Sequence, residues 1–400
     1  MEHSGAVAGG VMIVHLAANH GALGGGEVML IRTAQILRDL GQDPHVVCPA
    51  APADLADRAR EAGFPVTTLG GAGTVSYLWA LRCWATRHRN DLTWCHGLRP
   101  SLALAGQDRR FVHLHQIPRG SHRILTRVAR WRASRTLVPS ETAALAVPGA
   151  QALGNWTDEI STGTGEDRSP ASITSRPEEL TVGYLGRISE GKGVPELLTA
   201  FEDFRRAGCR SGSDGGDPGS PDHDGGDHDG AGHVSSGPRL LVGGAARFVP
   251  PEKARDLDRR LRDVPGVEPL GWIAPADLFE RVDVLVCPSV APESFGLVVA
   301  EAMVARVPVV ATSVGALPEV LGTDHPLLVE PGDTAGLVRA LDTFEAMSTR
   351  QRAELTDAQY DRWSERWSPS AGRRRVAALL GLPSDPDPES GPATVAGGRS

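Results

Sequence analysis

Residues 282–310, VDVLVCPSVAPESFGLVVAEAMVARVPVV, decide the fold of this chain. Two apolar runs, Val284 to Cys287 and Val307 to Val310, flank a polar turn, and each reads as a strand buried on both faces of a parallel sheet. The piece between them is then the turn and helix of a strand-helix-strand unit. Glu293 sits in the turn. Ser294, Phe295 and Gly296 are expected to open the helix, so that their backbone N–H groups and that of Leu297 point past the strand ends, where a phosphate is welcome. Glu301 lies one to two turns inside that helix, roughly 12 Å from Glu293 if the whole stretch is helical.

Such spacing suits a long ligand with hydroxyl-rich ends and an anionic middle, because each carboxylate can accept hydrogen bonds from vicinal hydroxyls while the helix N-terminus takes the charge. A nucleotide-diphosphate sugar has this shape. Alone, an E-x7-E pair is more often a solvated loop residue and a salt-bridged helix residue, but a second motif changes the balance. Leu180 to Ile188 reads as a strand that runs into Ser189-Glu190-Gly191-Lys192-Gly193 and then into a helix with Pro195 in its first turn. Arg187 offers phosphate oxygens a planar fork, Lys192 a mobile point charge, and the glycines let the backbone come close to a ligand. This is not a nucleotide-triphosphatase loop: the GxxxxGK[ST] order is missing, and no GxGxxG opens either half of the chain.

Together, G-R-x4-K-G at 186–193 and E-x7-E at 293–301 resemble the group 1 family (family 4) of retaining glycosyltransferases, and the resemblance runs from about Val11 to Leu380. It implies an α/β fold of the GT-B type, two Rossmann-like domains with parallel sheets facing across a cleft, the nucleotide sugar held mainly by the C-terminal domain and the acceptor mainly by the N-terminal one. The loop Gly21 to Gly26, with Gly25 and Gly26 at its end and Glu27 following, resembles the family's glycine-rich first loop beside the donor phosphates. His115, at the end of the strand RRFVHLH, is similar to the family histidine that meets the transferred sugar, and a strand end is where open α/β sheets bind ligands. Gly271-Trp272-Ile273 resembles the turn where backbone groups meet the nucleobase, which puts Ile273 at the base. The resemblance thus implies Glu293 and His115 as the catalytic pair and Arg187, Lys192 and the amides of Phe295, Gly296 and Leu297 on the diphosphate, with Glu301 on the ribose. Two positions depart from the family pattern. Gln116 follows His115 where an acidic or small polar residue is usual, and Asn155-Trp156-Thr157-Asp158 stands where the family has Asn-Gly-x-Asp.

Further strand-helix alternation supports parallel sheets covered on both faces: His45 to Cys48, Val66 to Leu69, Leu92 to Cys95, Phe111 to His115, Thr136 to Val138 and Ala150 to Leu153. Four hundred residues exceed one hydrophobic core. The expected organisation is a first Rossmann-like domain over 1–163, a linker over 164–178, and a second domain over 179–368 interrupted by a low-complexity insertion at 208–237. A terminal helix over 369–383 that crosses back to the first domain and a Pro-rich tail over 384–400 complete it. Trp363 and Trp367 read as packing residues.

The net charge is −8, from 41 basic and 49 acidic residues, of which the insertion carries −5 and residues 382–400 carry −2. The rest is near neutral, which does not suggest a nucleic-acid partner. Five cysteines without a CxxC pair fit a reduced cytoplasm, and neither a basic leader nor an apolar run of membrane-spanning length is present. The one dense basic run, Arg119, Arg123, Arg127, Arg130, Arg132 and Arg135, reads as a solvated helix face, with peripheral membrane contact left open. Asp222, His223, Asp224, Asp227, His228 and Asp229 read as part of an acidic loop, and no metal or other cofactor is expected, since no DxD-like motif accompanies the donor residues. The partners are then a nucleotide-diphosphate sugar donor and a glycan, lipid-linked or small-molecule acceptor. A sugar-nucleotide epimerase or hydrolase on the same fold, and a catalytically silent sugar-nucleotide-binding subunit, are the alternatives.

Overall fold

The computed structural model describes residues 10–70, 73–160, 179–211, 237–246 and 249–384. The linker expected over 164–178, nearly all of the insertion with its Asp and His residues, and the tail from 385 lie outside the described residues. The chain forms two compact units. One comprises the residues up to Thr157 together with those from Arg366 onward, and the other runs from Asp158 to Glu365.

The first unit holds a seven-stranded sheet of β1 (Ile13–Ala17), β2 (Asp43–Pro49), β3 (Val66–Leu69), β4 (Leu92–His96), β5 (Arg110–His113), β6 (Arg135–Val138) and β7 (Gln151–Ala152), in the order β3-β2-β1-β4-β5-β6-β7. Every pairing is parallel. The central strands are buried on both faces, as β4 shows with all five residues enclosed, and this explains why their sequences read as continuous apolar runs rather than alternating ones. The second unit repeats the plan with β8 (Thr181–Leu185), β9 (Arg239–Gly243), β10 (Val267–Gly271), β11 (Val284–Cys287), β12 (Val309–Thr312) and β13 (Leu328–Val329), in the order β10-β9-β8-β11-β12-β13. Its core joins Val182, Tyr184, Val284 and Val286 from the sheet to Leu197, Phe201, Leu337 and Phe344 from the helices Val194–Ser211 and Thr334–Ala346.

Three local expectations are corrected. The strand before Lys192 ends at Leu185, although the N–H groups of Gly186 and Ile188 still donate to the carbonyls of Gly243 and Ala245. β5 ends at His113, so His115 lies two residues past the strand. The helix after Glu293 begins only at Leu297, with Gly296 in the left-handed region (φ 98°) as its N-cap. Ser294, Phe295 and Gly296 therefore belong to the turn, and the 12 Å spacing expected from a continuous helix does not apply.

Trp156 finds its reason in packing. Its indole is 1% exposed, and the helix Pro369–Leu380 lies directly over it: a Cβ on Gly372 would overlap the indole ring. The same helix is tied to the 154–157 segment by Arg375, which donates to the carbonyls of Gly154 and Asn155, and by the Thr157 N–H donating to Trp367 at 2.9 Å. Trp363 and Trp367 are both buried, as packing residues should be. No helix among the described residues is long and apolar enough to cross a membrane.

Emptying the Trp156 site leaves a cavity beneath a helix that has no Cβ of its own to fill it. Trp156→Ala is expected to cost about 3–5 kcal/mol in denaturant unfolding, and Gly372→Leu to destabilise by overpacking the same contact. A loss below about 1 kcal/mol for both would show that the helix does not depend on this contact.

Candidate functional site

Parallel sheets whose winding reverses leave a crevice outside the carboxyl ends of the two central strands. In the second unit the reversal falls between β8 and β11. The loop after β8 forms a short 3-10 turn, Glu190–Lys192, and the loop after β11 carries Glu293. Here Lys192 Nζ donates to Glu293 Oε1 at 2.6 Å, and Ser289 Oγ donates to the same oxygen at 2.5 Å. The Lys192 side chain is 29% exposed and that of Glu293 13%, so the pair is shielded yet open to a ligand. Both bonds fall on Oε1, which leaves Oε2 to take up hydroxyl groups.

Backbone contacts lock this arrangement. Gly191 accepts from the N–H groups of Val290 and Ala291, joining the two loops, and Ala316 donates to the Glu293 carbonyl at 3.0 Å, joining the loop after β12. Glycine is required twice: Gly193 (φ 71°) and Gly315 (φ 59°) are both left-handed, and a Cβ would overlap the carbonyl of Pro288 in the first case and the backbone of Glu293 in the second. Ser289 is itself fixed, since Thr312 Oγ1 donates to its carbonyl at 2.6 Å. Burial pushes the neighbouring Cys287 thiol up to about 12, with the Glu293 charge adding to the shift, so it is a neutral wall of the site.

Of the other expected residues, Arg187 is exposed, its carbonyl held at 2.7 Å by the Tyr184 hydroxyl, and it makes no ion pair among the described residues. Phe295 is buried, so only its backbone could face a ligand; Ser294, Leu297 and Glu301 are half-buried. Ile273 packs over Gly243 at the ends of β10 and β9, beside an exposed Trp272. The Glu293 carboxylate is bonded to Lys192 and Ser289 rather than to Glu301. Ser289 and Thr312 escaped the sequence reading, although a serine just past β11 and four residues before Glu293 is placed to meet that carboxylate.

In the first unit the winding reverses between β1 and β4. Gly25 and Gly26 stand in the first turn of the helix Gly25–Asp39 rather than in the loop before it. Gly26 lies against His115: a Cβ there would stand 3.1 Å from the imidazole. His115 Nε2 is 3.0 Å from His96 Nδ1, and the His113 ring lies 4.2 Å away between centroids, tilted by 41°. These three side chains could converge on a metal by type, but two nitrogens 3.0 Å apart fit a shared proton better than two ligands of one ion. Burial lowers the His115 pKa to about 4 and those of His96 and His113 well below the ordinary range, so the cluster is neutral at pH 7. Asn19 and Arg99 complete the crevice and were not expected: Asn19 Oδ1 accepts from the Arg99 N–H at 3.0 Å, and Arg99 reaches His20 at 2.9 Å.

Glu27 is 6% exposed and takes hydrogen bonds from the backbone of His20 and Gly24, which holds the glycine loop in shape. Burial outweighs those bonds and raises its pKa to about 7.

A family model described as glycosyl transferases group 1 matches residues 235–345. A D-inositol 3-phosphate glycosyltransferase of Mycobacterium marinum is 32% identical over 154 residues, 38% of this chain and 28% of the relative. One of Streptomyces avermitilis is 37% identical over 141 residues, 33% of this chain and 30% of that protein. The chain therefore spans only about a third of the length of these curated relatives. Among solved structures, Anabaena HepE in complex with UDP-glucose superposes with a TM-score of 0.70 at 20% identity, covering 92% of this chain and 99% of that one. Sucrose-phosphate synthase of Thermosynechococcus elongatus gives 0.68 at 16%, covering 92% and 98%.

Because the folded protein holds the Glu27 proton more tightly than the unfolded chain, stability falls as pH rises from the ordinary carboxylate range to about 7. Glu27→Gln is neutral throughout. It should exceed the wild type by roughly 3 kcal/mol at pH 8, with the advantage gone near pH 4, in denaturant unfolding at the two pH values. An equal difference at both would mean that Glu27 titrates normally. Residues 235–345 are thus similar to the glycosyl transferases group 1 family, and the two-sheet architecture of the chain is the α/β GT-B fold of the superposed structures.

Proposed function

We propose that the chain transfers a sugar, with retention of anomeric configuration, from a nucleotide-diphosphate donor to an acceptor hydroxyl. The observation that carries this reading is the Lys192–Glu293–Ser289 cluster at the reversal point of the second sheet, where a cation meets a carboxylate in the turn that leads into the helix starting at Leu297. Anabaena HepE is seen with UDP-glucose, which supports a donor of this chemical class.

Diphosphate competes with Glu293 for the Lys192 ammonium. Once Lys192 turns to phosphate, Glu293 keeps its bond to Ser289 and presents its remaining lone pairs to the sugar hydroxyls. Arg187 and the backbone amides of Phe295, Gly296 and Leu297 share the diphosphate charge, Glu301 takes the ribose, and Ile273 borders the base. Gly25 and Gly26 bring first-turn amides toward the phosphates, and neutral His115 meets the sugar.

In the reaction the bond from the anomeric carbon to the phosphate oxygen breaks on the face where the bond to the acceptor oxygen forms. The acceptor's proton passes to the departing diphosphate oxygen. The enzyme contributes preorganised charge to the oxocarbenium-like state and to the leaving group. Four free thiols among the described residues support a cytoplasmic setting.

The two carboxylates should separate kinetically. Glu293→Gln is expected to lower kcat roughly a hundredfold with little change in donor KM, because it acts where charge develops. Glu301→Ala should raise donor KM on the order of tenfold and leave kcat largely intact, the mark of lost uniform binding. The reverse pattern would remove the assigned roles.

Transfer should also persist in excess EDTA, since Lys192 and Arg187 supply the positive charge that a metal would otherwise bring to the leaving group. Activity lost to EDTA and restored by Mg²⁺ or Mn²⁺ would contradict this.

A further inference from the structure

The stretch from Arg109 to Ser140 contains eight arginines and no acidic residue, within a chain whose net charge is −8. Its centre is the helix His122–Ala129, and only Thr126 and Ala129 of that helix are buried. The exposed positions are not polar all round. Ile124 is 64% exposed, Val128 50%, Leu125 40%, and Trp131, just past the helix end, 64%. Ile124, Val128 and Trp131 are spaced by four and three residues, so they form one stripe along the helix. Arg123 and Arg127 are exposed one position before Ile124 and Val128 and run alongside it, and Arg119 is exposed just before the helix.

An ordinary solvated face would place polar residues at Ile124, Val128 and Trp131. The two innermost arginines are already engaged: Arg110 is wholly buried and donates to Ala129 and Trp131 carbonyls, and Arg130 donates to Thr136 at 3.0 Å. Arg132 is paired with Asp108 at 2.8 Å. Arg119, Arg123 and Arg127 make no ion pair among the described residues and stand around the apolar stripe.

We propose that this helix is a docking surface for an anionic lipid bilayer, lying in the headgroup plane with Ile124, Val128 and Trp131 in the acyl boundary and Arg119, Arg123 and Arg127 on lipid phosphates. The pairing of exposed large apolar residues with unneutralised arginines on one short helix is what such an interface requires. Nucleic acid would satisfy the arginines but would leave the aliphatic stripe in water. A second copy of the chain would cover the stripe but would bring the arginines against their own kind.

The test is co-sedimentation of the full chain with vesicles of phosphatidylcholine alone and with vesicles containing about 30 mol% phosphatidylglycerol, at low and high salt. Binding is expected to the anionic vesicles only, weakened by salt. Arg123→Glu with Arg127→Glu should reduce it roughly tenfold or more, and Ile124→Ser with Val128→Ser should reduce it at low salt as well, while melting temperatures stay at the wild-type value because all four side chains are exposed. Equal binding to both vesicle types, no binding, or loss from the arginine pair alone would overturn the proposal, as would a dimer in sedimentation equilibrium that the serine pair dissolves. Vesicle binding is read without any sugar donor, so it stands or falls apart from the transferase reading.

Discussion

The geometry of the second unit depends on backbone meeting backbone at the carboxyl ends of its strands. Gly191 accepts two N–H groups from the loop after β11, Gly193 lies against the Pro288 carbonyl, and Gly315 lies against Glu293 itself. Three neighbouring loops, those after β8, β11 and β12, are thereby fixed to one another before any side chain is considered. Glu293 inherits its position from those contacts. The role proposed for this carboxylate, shifting its partner from lysine to a ligand, calls for such a rigid base, because an error of an ångström at a reacting centre costs orders of magnitude in rate. Side chains larger than hydrogen at 193 or 315 would displace the backbone of Pro288 or of Glu293 and so disturb the Glu293 carboxylate without meeting it directly.

The first unit solves a different problem, how to close a sheet whose last strand has only two residues, Gln151 and Ala152. It recruits the far end of the chain. The helix Pro369–Leu380, capped by Ser368 at its start and by left-handed Gly381 at its end, covers Trp156 and saturates the carbonyls of Gly154 and Asn155 through Arg375. Burial lowers that guanidinium's pKa to about 10, with Arg374 and Arg366 adding to the effect, so it remains charged at neutral pH while donating to these carbonyls.

Much of this was legible in sequence. The Val-rich runs gave the strands of both sheets because strands buried on two faces carry a signal that does not depend on alternation. The Lys192 and Glu293 motifs were legible because their residue types are few and their spacing is fixed by strand and turn. The helix start at Leu297 was not, since Ser294 is a favoured capping residue and only the left-handed Gly296 moves the boundary. Nor was the role of Trp156, whose partner Gly372 is more than two hundred positions away and leaves no local trace. Ser289, Asn19 and Arg99 were invisible for a related reason: each matters through a neighbour brought by another strand. The arginine run looked like a solvated face because sequence shows spacing, and only exposure shows that Ile124 and Val128 share the outer side.

The two crevices differ in electrostatic character, and the difference matches what each is proposed to hold. In the first, burial drives titratable groups toward neutrality: Glu27 rises to about 7 while His115 falls to about 4, and His96 and His113 are also held well below the ordinary imidazole range. A neutral imidazole can donate one hydrogen bond and accept another, which suits hydroxyl groups and would be wasted on phosphate. In the second, Lys192 and Glu293 stand as an ion pair, each compensating the other until a ligand replaces it. A partly enclosed pair of this kind contributes little to stability, because desolvation offsets much of the attraction. In the proposed reaction its value lies in exchange: a diphosphate would take the lysine and leave the carboxylate to the sugar, so that no charge is stranded at any stage. A hydrophobic pair would hold the two loops together as well, but it could not hand one partner to the leaving group and the other to the sugar.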